Sequence, residues 1–159
     1  MPNANQPRVR RQSAWPIEQI GAFLAESTIP LRLACNAGKG FPSLNSMWFE
    51  YREGSLWCAT HSSSAILGFL REDPRCALEV APNEPPYCGV RGQATAELSR
   101  EGAGELLERL ISRYLGESNP GLATWLMSRV DEEWVIRLKP VWLSAWDYRA
   151  RMSETPGRD

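Results

Sequence analysis

From Tyr87 to Leu98 the chain alternates with a period of two, for longer than anywhere else in the sequence. Cys88, Val90, Ala94, Ala96 and Leu98 fall on one side, against Arg91, Gln93, Thr95 and Glu97 on the other. Successive side chains of a strand point to opposite faces, so this pattern specifies a strand with one buried and one solvated face. Its buried side carries small residues. Gly92, Ala94 and Ala96 suit the tight interior of a curved sheet or barrel.

The shorter segments agree with that frame. Leu31 to Asn36 reads as a strand, and Asn45 to Arg52 as another, with Phe49 and Tyr51 opposite Trp48, Glu50 and Arg52. Glu53-Gly54 is a tight turn that returns Leu56 to Thr60 as the partner strand. Arg75 to Ala81 places Cys76, Leu78 and Val80 on one face. Trp134 to Lys139 is the last full strand, and Pro140 turns the chain toward Val141–Tyr148. Gly38-Lys39-Gly40 lacks the spacing of a phosphate loop and no long helix follows, so it reads as a hairpin connection. Helices are expected from Pro16 to Glu26, Ala65 to Glu72, Glu101 to Leu115 and Asn119 to Arg129. The third has the clearest stripe: Leu106, Leu107, Leu110, Ile111 and Tyr114. Six meandering antiparallel strands with three or four helices predict a mainly β barrel with peripheral helices, not an alternating α/β sheet.

At 159 residues the chain is expected to form one domain, large enough for a core without metal or disulfide staples. Its net charge of −1 gives no global field to recruit nucleic acid or an anionic membrane. No apolar run approaches the roughly 20 residues of a membrane span, and no apolar core of a secretory signal opens the sequence. The cytoplasm is the expected location. Residues 1–14, with the basic run Arg8-Val9-Arg10-Arg11, are expected to be a flexible arm, and residues 153–159 a disordered tail. Cys35, Cys58, Cys76 and Cys88 are widely spaced, which favours buried reduced thiols over a metal site. Seven tryptophans promise either large buried areas or an aromatic wall for a ring ligand.

The chemistry concentrates where the strand ending at Thr60 hands over to the helix beginning near Ala65. Thr60, Ser62, Ser63 and Ser64 supply hydroxyls there, beside His61, the sole histidine. Helix N-termini carry unpaired N–H groups and a positive dipole end, which together cradle phosphates. The competing reading is that Ser63 or Ser64 simply caps the helix. His61 reads as a phosphate donor, an axial haem ligand or a solvated turn residue. Trp48 and Trp57 flank the turn, either along a ligand ring or in the core. Glu50 and Glu79 read as solvated strand residues, and no Ser-His-Asp pattern is present.

The order of these pieces resembles the pyridoxamine 5'-phosphate oxidase-like, FMN-binding split-barrel family. The resemblance rests on Gly40-Phe41-Pro42, Met47-Trp48-Phe49-Glu50-Tyr51 and Leu56-Trp57-Cys58-Ala59-Thr60. It continues through Leu70-Arg71-Glu72-Asp73-Pro74-Arg75, Val90-Arg91-Gly92-Gln93-Ala94 and the terminal Trp146-Asp147-Tyr148-Arg149 with Arg151-Met152. It implies a split-barrel, Greek-key-like domain over residues 15–152 and a homodimer with FMN in the cleft between chains. The phosphate would meet Thr60, His61, Ser62, Ser63 and Ser64. The ring would lie along Asn45, Ser46, Met47 and Trp48, and Tyr87 and Arg91 would approach the same pocket. Many relatives carry Lys or Arg where this chain has Ile66, which leaves His61, Arg91 or the more distant Arg75 as phosphate partners. The implied function is an FMN-dependent oxidoreductase acting on a small planar substrate. A deazaflavin coenzyme is a variant of that reading; a haem or tetrapyrrole handler and a cofactor-free dimeric binding module are the alternatives.

Overall fold

A computed structural model describes residues 6–153 of the chain. It contains β1 (Leu31–Asn36), β2 (Pro42–Met47), β3 (Glu50–Arg52), β4 (Ser55–His61), β5 (Arg75–Val80), β6 (Cys88–Ser99) and β7 (Glu133–Asp147). All neighbouring pairs are antiparallel, in the order β2-β1-β5-β6-β7-β4-β3. The helices are α1 (Ile17–Glu26), α2 (Ala65–Glu72), α3 (Ala103–Leu115), α4 (Pro120–Met127) and α5 (Arg149–Ser153). Among the described residues no helix is long and apolar enough to cross a membrane.

The strand order dictates the curl. β2 and β3 are the two outermost strands, yet Trp48 and Phe49 are all that separate them in sequence. Flat, seven strands spaced at about 4.8 Å would hold those edges about 29 Å apart. Three extended residue steps reach only about 11 Å. The sheet therefore rolls into a split barrel, with Trp48-Phe49 as its seam. Phe49 is fully buried there. The Tyr114 hydroxyl, from α3, accepts from the Phe49 N–H at 3.1 Å and lies 3.2 Å from the Phe49 carbonyl and 3.4 Å from that of Ile29.

This seam corrects the strand count from six to seven. Asn45–Arg52 was expected to be one strand because its alternation is continuous. Instead β2 pairs with β1 up to Met47, and β3 pairs with β4 from Glu50. The segment changes partner without losing its periodicity. Glu53 and Gly54 do form the predicted turn, with φ of 54° and 70°, values that suit the twist of a two-residue hairpin.

Pro140 does not end the last strand either. β7 runs through it and bulges at Val141, which is left unpaired and exposed between the Gln93–Trp142 and Ala94–Pro140 pairs. The two strands close on each other at Gly92. A Cβ there would sit 2.4 Å from the Trp142 carbonyl oxygen, so glycine is required.

The N-terminal segment expected to be a loose arm lies along β7 from Arg8 onward. The Leu143 N–H donates to the Arg8 carbonyl at 2.8 Å, and the Arg10 N–H to that of Leu143 at 3.0 Å. Arg10 covers the Trp142 ring at 3.7 Å, and the Trp15 indole donates to Asp147 at 2.9 Å. The cause is an edge of β7 whose backbone groups need partners. Residues 1–5 of that arm, and residues 154–159 of the expected tail, lie outside the described residues; Ser153 closes α5.

One core fills the barrel, built from Leu31, Leu33, Leu56, Leu78, Val90, Ile136 and Leu138 with Ile66, Leu67 and Leu70 of α2. A second, smaller cluster lies under α3, where Ala103, Leu106 and Leu110 meet Val135. All four cysteines are buried and unbridged. Burial, and then neighbouring Cys35, push the Cys76 thiol up to about 12.

Candidate functional site

β4 ends at Thr60 and His61, and His61 is in phase with Trp57 and Ala59, which pack on the α3 side of the sheet. Antiparallel pairing with β7 sets His61 directly opposite Glu133, so both side chains project to one face. The chain then turns through Ser62 and Ser63. The Ser62 N–H and hydroxyl both donate to Glu132, at 2.8 and 2.7 Å. The Ser63 N–H and hydroxyl both meet His61 Nδ1, at 3.2 and 2.8 Å, which fixes that imidazole against its own turn. Ser64 is the N-cap residue of α2, but its side chain makes no capping bond. The turn is therefore held by Ser62 and Ser63, and Thr60 and Ser64 are left facing open space.

That space is a cavity of about 420 Å³. β2 and the seam contribute Asn45, Ser46, Met47 and Trp48; β4 and its turn contribute Ala59, Thr60, His61 and Ser64. Leu107 and Leu110 of α3 and Leu122 and Leu126 of α4 form an apolar wall. Trp48 stacks on Tyr114 with ring centres 5.2 Å apart and planes 6° from parallel. The remaining lining residues are Arg129 and Glu133. The Arg129 guanidinium lies 4.6 Å from the Trp125 ring and makes no ion pair among the described residues. Glu133 is buried, and burial raises its carboxyl above the usual range although the charge of Arg129 pulls it down.

Seven of the eleven expected site residues thus converge: Asn45, Ser46, Met47, Trp48, Thr60, His61 and Ser64. Ser62 and Ser63 stand behind the wall as its supports. Arg91 lines a different cavity, on the other side of the sheet with Arg32, Leu44 and Trp142, and Tyr87 lies beside Met152. Within one chain neither reaches the site. Ile66 is buried in the barrel core, so the position where a basic residue was expected does not face the cavity. The cation in the wall is Arg129 instead, and Arg75 is engaged by Asp73 at 2.7 Å.

Arg129 and Glu133 were not expected from the sequence. Glu133 carries a signal in retrospect: it is in phase with Val135, a buried position of the same alternating strand. Arg129 carries none, because the connection from α4 to β7 has no periodicity. Among the described residues no group of three or more metal-binding side chains converges.

No family profile and no curated protein matches the sequence. Solved structures do. A conserved hypothetical protein from Mycobacterium tuberculosis, Rv2991, superposes with a TM-score of 0.74 at 21% identity, over 96% of this chain and 97% of that one. A protein described as an F420 reductase gives 0.64 at 21% identity, over 76% of this chain and 93% of the other. A putative pyridoxamine 5'-phosphate oxidase from Listeria innocua gives 0.61 at 19% identity, over 80% and 95%. The fold is that of the split-barrel, pyridoxamine 5'-phosphate oxidase-like proteins.

Proposed function

We propose that this chain is a flavin-dependent oxidoreductase of the split-barrel type, with FMN or a deazaflavin coenzyme in the cavity between β2, β4 and α4. One observation carries the reading: hydroxyls, a helix N-terminus and an uncommitted guanidinium face one cavity of about 420 Å³ with an aromatic and aliphatic wall. That volume lies in the range of cofactor pockets. The donor set suits a phosphate at one end and a planar ring at the other. Thr60, Ser64 and the first turn of α2 donate to the phosphate, and Arg129 supplies the positive charge that Ile66 does not. Trp48 and Met47 give the ring an apolar bed, and Leu107, Leu110, Leu122 and Leu126 keep water from its far side. A bound flavin supplies the hydride or electron transfer itself. The protein's share is to place and shield the ring.

A homodimer belongs to the same reading. Leu44 is exposed beside the cavity that Arg91 lines, and Phe41 and Val141 are exposed as well. A second copy is the route by which Tyr87 and Arg91 reach a cofactor. The activity is assigned to a small planar substrate and to the cytoplasm.

The test is an absorbance spectrum of the purified protein, repeated after adding FMN, a deazaflavin coenzyme and haemin, each followed by gel filtration. Flavin bands that stay with the protein support the proposal. A Soret band lost in His61→Ala moves the assignment to haem. A colourless protein that retains none of the three overturns the cofactor reading and leaves a binding module.

A further inference from the structure

Among the described residues Glu133 is the buried carboxylate, 6% exposed, and it lines the cavity. Every element around it has been accounted for without supplying it a hydrogen bond. From β4, His61 lies opposite, with Nδ1 already engaged by Ser63. Arg129 acts on it through charge alone. Glu132 is turned toward Ser62. From α3 and α4 the wall presents Leu107, Leu110, Leu122 and Leu126, which neither donate nor accept. The carboxylate is screened from bulk water and opens onto the cavity with no donor from the chain, and native structures rarely leave a largely buried polar group without a partner.

We propose that Glu133 is the hydrogen-bond acceptor of this cavity, held for an O–H or N–H group of the bound molecule while Arg129 takes its anionic group. The identity of that molecule rests on the flavin reading above. FMN offers ribityl hydroxyls and a ring N–H as donors, and a phosphate as the anion.

The pH dependence has a definite sign. A donor bonded to the carboxylate favours its charged form, so binding lowers the Glu133 pKa and releases a proton. FMN affinity is then complete above the unliganded pKa and is lost as pH falls through it. A phosphate seated against Glu133 would give the opposite slope. The FMN phosphate also titrates in this region, with a pKa of about 6, so the informative quantity is the difference between wild type and Glu133→Gln.

Two measurements on the full chain decide the matter. In FMN titrations Glu133→Gln binds about tenfold more weakly above the titration and loses its part of the pH dependence. Equal or tighter binding by the variant, or the opposite slope in the wild type, overturns the proposal. In melting of the unliganded protein, a raised carboxyl makes the native state hold a proton that the unfolded state has released. Stability therefore falls as pH rises between the ordinary carboxylate value and the raised one. Glu133→Gln then melts above wild type at about pH 8 and level with it at about pH 4. An equal or lower melting temperature at about pH 8 would make Glu133 the structural partner of Arg129, and the proposal fails. If the wild type takes up no FMN, the flavin reading falls. The melting comparison still decides whether Glu133 is an unmet acceptor.

Discussion

Tyr114 and Glu133 border the same helix layer and have opposite polar environments. The Tyr114 hydroxyl sits within 3.1 to 3.4 Å of three backbone atoms, accepting from the Phe49 N–H and facing the carbonyls of Phe49 and Ile29. Glu133, more deeply buried, has none of this. Tyr114 and Glu133 are thus separated by one physical criterion: whether a buried polar group finds its partners inside the chain. Where it does, the group serves the fold. Where it does not, the fold carries a cost that a bound molecule can relieve. The serine turn divides the same way, with Ser62 and Ser63 satisfied internally and Thr60 and Ser64 facing the cavity.

The comparison fails if variants on the two sides have the same phenotype. The largest effect is expected from Arg129→Met. It removes a charge-assisted bond to a phosphate, about 1.5–3 kcal/mol, so FMN binding weakens roughly tenfold to a hundredfold. Its melting temperature falls only slightly, because Arg129 makes no ion pair among the described residues and acts on the fold through the Trp125 ring and its charge near Glu133. Titration followed by flavin fluorescence measures the first and calorimetry the second. A destabilised Arg129→Met with unchanged FMN affinity would put Arg129 on the structural side.

Tyr114→Phe should do the reverse. Losing the hydroxyl strands the Phe49 N–H and carbonyl in a buried seam, at a cost of about 1–3 kcal/mol of folding stability. The ring stack with Trp48 survives, so FMN affinity at a temperature where the variant is folded stays close to wild type. Chemical denaturation midpoints check the first part. Wild-type stability for Tyr114→Phe would mean that water replaces the hydroxyl and that Tyr114 does not hold the seam.

The sequence exposed the strands more readily than their partners. Alternation placed β6 and its buried face, because period two depends on the strand alone. It could not show that Asn45–Arg52 changes sheet edge at Trp48-Phe49, since both halves keep the same phase. Pro140 was misleading for a related reason. A missing N–H ends a strand only if the pairing cannot adjust, and here the bulge at Val141 accommodates it. The site was legible where it is local, along β2 and through the serine turn. Arg129 and Glu133 were not, because they reach the cavity only when β7 pairs with β4 and α4 folds over both. Ile66 shows the same limit from the other side. A missing charge at one position says little until the fold reveals whether that position faces the ligand.

The smallest effect, and the finest division of the two regions, is expected at Ser64. As a capping residue its replacement by alanine would cost about 1 kcal/mol of stability. The observed N-cap makes no side-chain bond, so Ser64→Ala should leave the denaturation midpoint within about 0.5 kcal/mol of wild type. If its hydroxyl instead serves a phosphate, FMN affinity drops by the worth of one neutral hydrogen bond, about 0.5–1.5 kcal/mol, or roughly twofold to tenfold. Ser63→Ala is the matched control. Its hydroxyl is bound to His61 Nδ1, so its loss frees the imidazole to rotate without removing a group from the cavity wall. A midpoint that moves for Ser64→Ala while affinity stays fixed would return this serine to capping. The anion site would then rest on Thr60, Arg129 and the backbone of α2 alone.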